Sequence, residues 1–276
     1  MRSVGAERLA LGAGLLGGCA LSQVPDGPSR CALDGRRLEC TYETDTFSIA
    51  GEDREVHWQV PLGDPPAAGW PVAFVFQGSV FSATHNWAAR PNTPFGGWHQ
   101  VRLTQALLDD GYMVLTPEAR GDGLTCWDTN RPIWAERWDE SPDAALMDAL
   151  FAAVDAGDFG PSDPDRWYAT GISSGGYMTS RLAVTWPTRF AAVAIASASY
   201  ATCVGALCNV PEDLPPDHPP TLFLQGLRDK VVPAWTPLLY ERKLAGLDIE
   251  VDHRIGVLAG HEWLSDAPEL VVDWFE

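Results

Sequence analysis

The chain has 276 residues, 46% of them hydrophobic and 20% charged. That is an ordinary globular balance, and it excludes a disordered, collagen-like or disulfide-scaffold chain. With 19 Lys plus Arg against 37 Asp plus Glu, the formal charge is −18. Such a surface repels phosphate backbones and anionic lipid headgroups, so no nucleic-acid partner is expected.

Residues 1–19 read as an export signal. Arg2 and Arg8 accompany a short apolar run at 9–16, far below the roughly 20 residues that a bilayer-spanning helix needs. The run ends Leu16-Gly17-Gly18-Cys19, which resembles the lipobox of bacterial lipoproteins. The resemblance implies lipidation of Cys19 and a place in the cell envelope. A soluble secreted protein and an ordinary buried helix are the alternatives, and membrane contact is expected only through that anchor. Residues 20–40 read as a polar, Pro- and Gly-containing tether followed by the Cys31/Cys40 segment. A single catalytic domain is expected over 41–276. Export implies an oxidising compartment, where disulfides persist. Local pairs Cys31–Cys40, with Asp34-Gly35 as a turn between them, and Cys203–Cys208 are the simplest pairing, and they leave Cys126 over. Spacing alone does not decide connectivity. No Cys-x-x-Cys or His-x-x-x-His spacing suggests a metal, and no cofactor is expected.

Strand patterns at 41–49 and 54–60 come first. From there strands and helices alternate. The apolar run 72–76 reads as a buried strand, 101–108 as a helix stopping at Gly111, and 112–115 as a strand. Ser141-Pro142 supplies an N-cap and a first-turn proline for a helix with Leu146, Leu150, Phe151 and Val154 on one face. A strand at 167–170 precedes a helix at 174–184. Strands at 190–195 and 221–224 follow, then a helix at 237–244, a strand at 249–255 and a closing helix at 268–275. Continuous apolar strands alternating with amphipathic helices predict an α/β fold with a mostly parallel sheet covered on both faces. Stretches 79–97 and 119–140 break the rhythm. Both follow the carboxyl end of a strand, where open α/β sheets bind ligands. Both carry aromatic residues, and Trp87 and Trp127, with Trp263 further on, are candidates to line a substrate site.

The sharpest motif is Gly171-Ile172-Ser173-Ser174-Gly175, a G-x-S-x-G. Its context is a strand pattern running into it and a helix pattern leaving it. That is the strand-to-helix turn on which such a serine is held exposed, with flanking glycines removing Cβ atoms that would clash. A serine hydroxyl is a poor nucleophile at neutral pH and needs a base, which needs an orienting group. Asp229 lies in the loop after the 221–224 strand, and His261 lies between the last strand and the last helix. They follow Ser173 in the order acid, then base. The other histidines fit worse: His57, His85 and His99 precede Ser173, His218 precedes Asp229, and His253 lies inside a strand pattern. The oxyanion of an acyl-transfer intermediate needs two backbone donors. The N–H of Ser174 is one candidate, and that of Ser79, after the 72–76 strand, is the other.

These residues resemble the α/β-hydrolase fold family over about 41–276. More narrowly, Gly171-Ile-Ser-Ser-Gly-Gly-Tyr-Met-Thr179, Gln225-Gly-x-x-Asp229-x-Val-Val-Pro233 and Gly260-His261-Glu-Trp263 look like the poly(3-hydroxybutyrate) depolymerase and feruloyl-esterase-like group. The resemblance implies a cofactor-free serine esterase with Ser173 as nucleophile, Asp229 as acid and His261 as base. One departure stands: the group has His-Gly where this chain has Gln77-Gly78, so the hydrogen bonding of that loop must differ. The Gly-Gly-Tyr-Met-Thr run is also similar to prolyl-oligopeptidase-type peptidases, whose large N-terminal propeller this chain has no room for. The expected function is therefore an exported serine hydrolase of small or polymeric carboxylic esters, of polyhydroxyalkanoate, feruloyl or acetyl type. The rivals are a peptidase or amidase on the same fold and a non-catalytic surface lipoprotein that binds without cleaving.

Overall fold

The computed structural model describes residues 28–121, 125–203 and 206–276. The predicted signal segment, Cys19 and the first part of the tether lie outside the described residues. A hairpin of β1 (Cys31–Asp34) and β2 (Arg37–Cys40) opens the described chain. Then come β3 (Glu43–Ile49), β4 (Glu52–Gln59), β5 (Trp70–Phe76), the two-residue β6 (Ala88–Ala89), α1 (Gly97–Asp109) and β7 (Met113–Pro117). After the short α2 (Pro132–Glu136) the chain alternates: α3 (Pro142–Ala156), β8 (Ser162–Ile172), α4 (Ser174–Thr185), β9 (Ala192–Ala196). It closes with β10 (Thr221–Gly226), α5 (Trp235–Ala245), β11 (Val251–Gly256) and α6 (Ala267–Phe275).

Eight strands form one sheet in the order β11-β10-β9-β8-β5-β7-β4-β3. Pairs from β11 through β7 are parallel, and β4 joins β7 and β3 antiparallel. The centre is parallel because helical crossovers bury both of its faces. Strand alternation divides the core. Val72, Phe74 and Phe76 of β5 face one cluster with α3 and α4, while Ala73 and Val75 face another with α1 and α6. The Ser141 side chain caps α3 through the Ala144 N–H at 3.1 Å, with Pro142 at its first position, as the sequence predicts.

Several boundaries move. β5 begins at Trp70 and passes through Pro71, with a register shift between Trp70 and Val72 where it meets β8. A proline is tolerated in a central strand at such an irregularity, where no ladder hydrogen bond is required of it. The edge read at residue 41 is not an edge of the packed body. Leu38 and the Cys31–Cys40 disulfide lie in the core cluster of α1 and α6, and β2 pairs with β6. A second disulfide joins Cys203 and Cys208, and Cys126 is a buried free thiol. Among the described residues no helix is long and apolar enough to cross a membrane.

Candidate active site

The parallel sheet delivers three loops to one end. At the carboxyl end of β8 the chain turns sharply into α4 at Ser173, whose φ of 55° and ψ of −120° are strained for a residue with a side chain. The turn survives because its neighbours are glycines. A Cβ on Gly175 would lie 2.2 Å from the Phe76 carbonyl oxygen, and one on Gly171 would lie 2.5 Å from the Gly175 backbone. The Ser173 N–H donates to the Ala196 carbonyl at 2.9 Å, which ties the turn to β9.

Asp229, in the loop after β10, is buried. Its Oδ1 accepts the Val231 and Val232 N–H groups, both at 2.8 Å, and its Oδ2 meets His261 Nδ1 at 2.8 Å. The Gln225 amide adds a longer contact to Oδ2, at 3.3 Å, while also donating to the Val232 carbonyl. Burial pushes the Asp229 carboxyl up. The His261 hydrogen bond, the two backbone donors and the His261 charge outweigh it and hold the carboxyl below its ordinary value. An ionised carboxylate only accepts, so Nδ1 carries a proton, and a neutral ring would present its lone pair at Nε2.

Ser173 and His261 line one cavity of about 240 Å³, and Ser79 lines it too. No hydrogen bond joins Ser173 Oγ to His261 in this structure. Such contacts are often long without substrate and tighten in the complex. The other walls are mainly apolar, with Phe81, Phe95, Val80, Val231 and Ile172, while His85, Thr93 and Gln100 add polar groups. Phe95 sets its edge against the His261 ring at 6.1 Å. Val80 is 59% exposed, Val231 55% and Phe95 45%, so the mouth of the cavity is apolar as well. Among the described residues no group of three or more His, Cys, Asp or Glu could hold a metal ion.

The predicted nucleophile, acid and base thus converge from β8, β10 and β11, and both candidate oxyanion residues are beside them. The three tryptophans do not line the cavity. Trp87, Trp127 and Trp263 are fully buried. Trp87 donates its indole N–H to Thr116 Oγ1 at 2.7 Å, Trp127 to the Gln77 carbonyl at 3.0 Å, and Trp263 sits in the cluster of α1 and α6. For Trp87 and Trp127 the indole pairs a large apolar ring with a single donor, which suits a core that must satisfy an isolated acceptor. The donor-free rings of Phe81 and Phe95 face the cavity instead. The loop 79–97 was legible as a ligand loop, but its phenylalanines carried no signal that set them apart from its tryptophan. Gln225, the penultimate residue of β10, opens the motif that contains Asp229, but its contact to that carboxyl is visible only in the structure.

Over 270 residues, 95% of this chain and 96% of the relative, the sequence is 44% identical to a poly(3-hydroxyoctanoate) depolymerase of Pseudomonas fluorescens. The chain belongs to this family of α/β-hydrolase-fold serine ester hydrolases. Residues 98–208, which include the Ser173 turn, match the prolyl oligopeptidase family. An S-formylglutathione hydrolase from Agrobacterium tumefaciens shares the fold with a TM-score of 0.59 at 15% identity, over 89% of this chain and 96% of that one. An acylaminoacyl peptidase of Pyrococcus horikoshii shares it at 0.57 and 15% identity, over 85% of this chain but only 41% of its own.

Proposed function

We propose that this ester hydrolase acts through a Ser173–His261–Asp229 triad on esters of hydroxyalkanoic acids, as polymer or oligomer, outside the cytoplasm. The observation that carries the triad is the 2.8 Å Asp229–His261 pair at a cavity that the strained Ser173 also lines. In this reading Ser173 Oγ attacks the ester carbonyl and His261 Nε2 takes its proton, while Asp229 holds the Nδ1–H and stabilises the imidazolium. The backbone N–H groups of Ser174 and Ser79 receive the oxyanion. Collapse returns the proton to the departing alcohol. Water then releases the acyl group from Ser173 by the same steps.

The substrate class rests on two supports: the name of the 44% identical relative and the apolar lining of the cavity, which suits an alkyl side chain. The two disulfides fit an oxidising compartment. Lipidation of Cys19 remains part of this reading.

A fluorophosphonate probe tests the triad. Mass spectrometry should place the label on Ser173, and His261→Ala should lose both labelling and hydrolysis of a p-nitrophenyl alkanoate. Labelling elsewhere, or full turnover by Ser173→Ala, would overturn the assignment. The match to a peptidase family leaves an amidase as the rival. An ester and its matched amide should then differ strongly in kcat/KM, in favour of the ester.

A further inference from the structure

We infer that Trp127 is a positioning residue that sets the distance between the two backbone donors of the oxyanion hole. The inference rests on the assignment of Ser173 as nucleophile and of Ser174 and Ser79 as donors. Trp127 makes two hydrogen bonds in opposite directions. Its backbone N–H donates to Ser174 Oγ at 3.0 Å, and its indole Nε1–H donates to the Gln77 carbonyl at 3.0 Å. Ser174 follows the nucleophile. Gln77 begins the loop that carries Ser79. One fully buried residue therefore ties together the two segments that supply the donors, through its backbone on one side and its indole on the other, and its ring packs edge-on against Phe76 at 5.2 Å, just below that loop.

The far side of the same loop is held independently. Gln77 Nε2 donates to Glu118 Oε1 at 2.7 Å, and Glu118 Oε2 accepts from Ser82 Oγ and the Ala83 N–H at 2.8 and 2.7 Å. Gly78 closes the assembly: a Cβ there would stand 3.4 Å from the Ile172 carbonyl oxygen and 3.7 Å from Ser173 Cβ. The loop thus lies directly against the nucleophile turn. The Gln at 77 fits this bonding. Its side-chain amide N–H groups donate to Glu118 and the Phe81 carbonyl, while its backbone carbonyl accepts the indole. Oxyanion stabilisation depends on donors that are in place before the charge forms, and a displacement of about 1 Å costs on the order of a hundredfold in rate.

The test is Trp127→Phe, which removes the Nε1–H donor and trims the buried indole to a single benzene ring. On a p-nitrophenyl alkanoate kcat should fall by about tenfold or more, with KM within about twofold. Affinity for a trifluoromethyl ketone, which presents an oxyanion once bound, should fall in step with kcat/KM, and affinity for the non-reacting alcohol analogue should not. Ser174→Ala removes the other tie while retaining the backbone donor. It should show the same signature more weakly, and it decides the matter should Trp127→Phe not fold. Unchanged kcat and ketone affinity in a folded variant, or a rise in KM alone, would overturn the inference. Ser173→Ala separates the two questions. If it stays active, the nucleophile assignment fails. If it is dead while both tie variants behave as wild type, only the role of Trp127 fails.

Discussion

His218 sits in the chain between Ser173 and Asp229, yet its environment is that of a structural residue. It is 3% exposed, its Nδ1 lies 2.8 Å from the Pro219 carbonyl and its Nε2 lies 2.6 Å from the Tyr240 hydroxyl. A carbonyl can only accept, so Nδ1 carries the proton and Nε2 accepts from the tyrosine. The neutral ring is fully satisfied. Burial pulls its pKa from 6.5 down to about 4, against small opposing contributions from the Pro219 hydrogen bond and Asp217. The folded pKa is depressed, so the stability it contributes is complete above the unfolded value and is lost as pH falls from about 6.5 towards 4. Denaturant midpoints measured at pH 7, 5.5 and 4 should fall less steeply in His218→Gln than in wild type. Equal slopes would mean that His218 is protonated without cost in the folded protein. Ser173 shows the opposite use of a single residue. There the backbone is strained and the strain is held by tight glycine contacts on either side.

At the scale of elements, the segment between β7 and α3 is pinned by an exchange of two buried aspartates. The Asp128 N–H donates to Asp143 Oδ2 at 2.6 Å and the Asp143 N–H donates back to Asp128 Oδ2 at 3.1 Å. Arg54, on β4 and only 4% exposed, pairs with Asp143 at 2.8 Å. Burial pushes the Asp128 carboxyl up to about 6, with the Asp143 charge adding to it and Arg120 and Arg131 pulling back. Trp127 is the residue before this lock, so the lock also fixes where the indole points. Asp143→Ala would leave a buried guanidinium and a buried N–H without their carboxylate. It should lower unfolding free energy by about 3–5 kcal/mol, read from urea curves at constant pH. A loss below about 1 kcal/mol would show that water replaces the carboxylate at no great cost. The lock was invisible in the sequence. Asp128 and Asp143 are fifteen residues apart, and neither sits in a pattern that marks it as buried.

The molecule as a whole carries −18 formal charges, and self-repulsion at that density works against the compact state. Raising NaCl from about 0.01 M to about 0.15 M shortens the screening length from about 30 Å to about 8 Å. The thermal midpoint should therefore rise over that range. A midpoint that is flat or falls would mean that exposed ion pairs such as Arg189–Asp155 and Arg254–Asp266 outweigh the repulsion.

What sequence alone could settle was what depends on neighbours along the chain. The α/β alternation, the Ser141 cap and the strand-turn-helix setting of Ser173 follow from local periodicity and from glycines beside a serine. The order Ser173, Asp229, His261 was readable because each stands at the end of a recognisable strand. The tertiary structure decided what depends on residues far apart. It placed the Cys31–Cys40 hairpin inside the packed body rather than before it. It sent Trp87, Trp127 and Trp263 into the core and gave the cavity to Phe81 and Phe95. It tied Trp127 to both Gln77 and Ser174. An aromatic residue has the same sequence signature on either side of a loop. Which side it takes is set by how the sheet and helices close over it, with an acceptor waiting for the indole of Trp87 and of Trp127, and no local pattern encodes that.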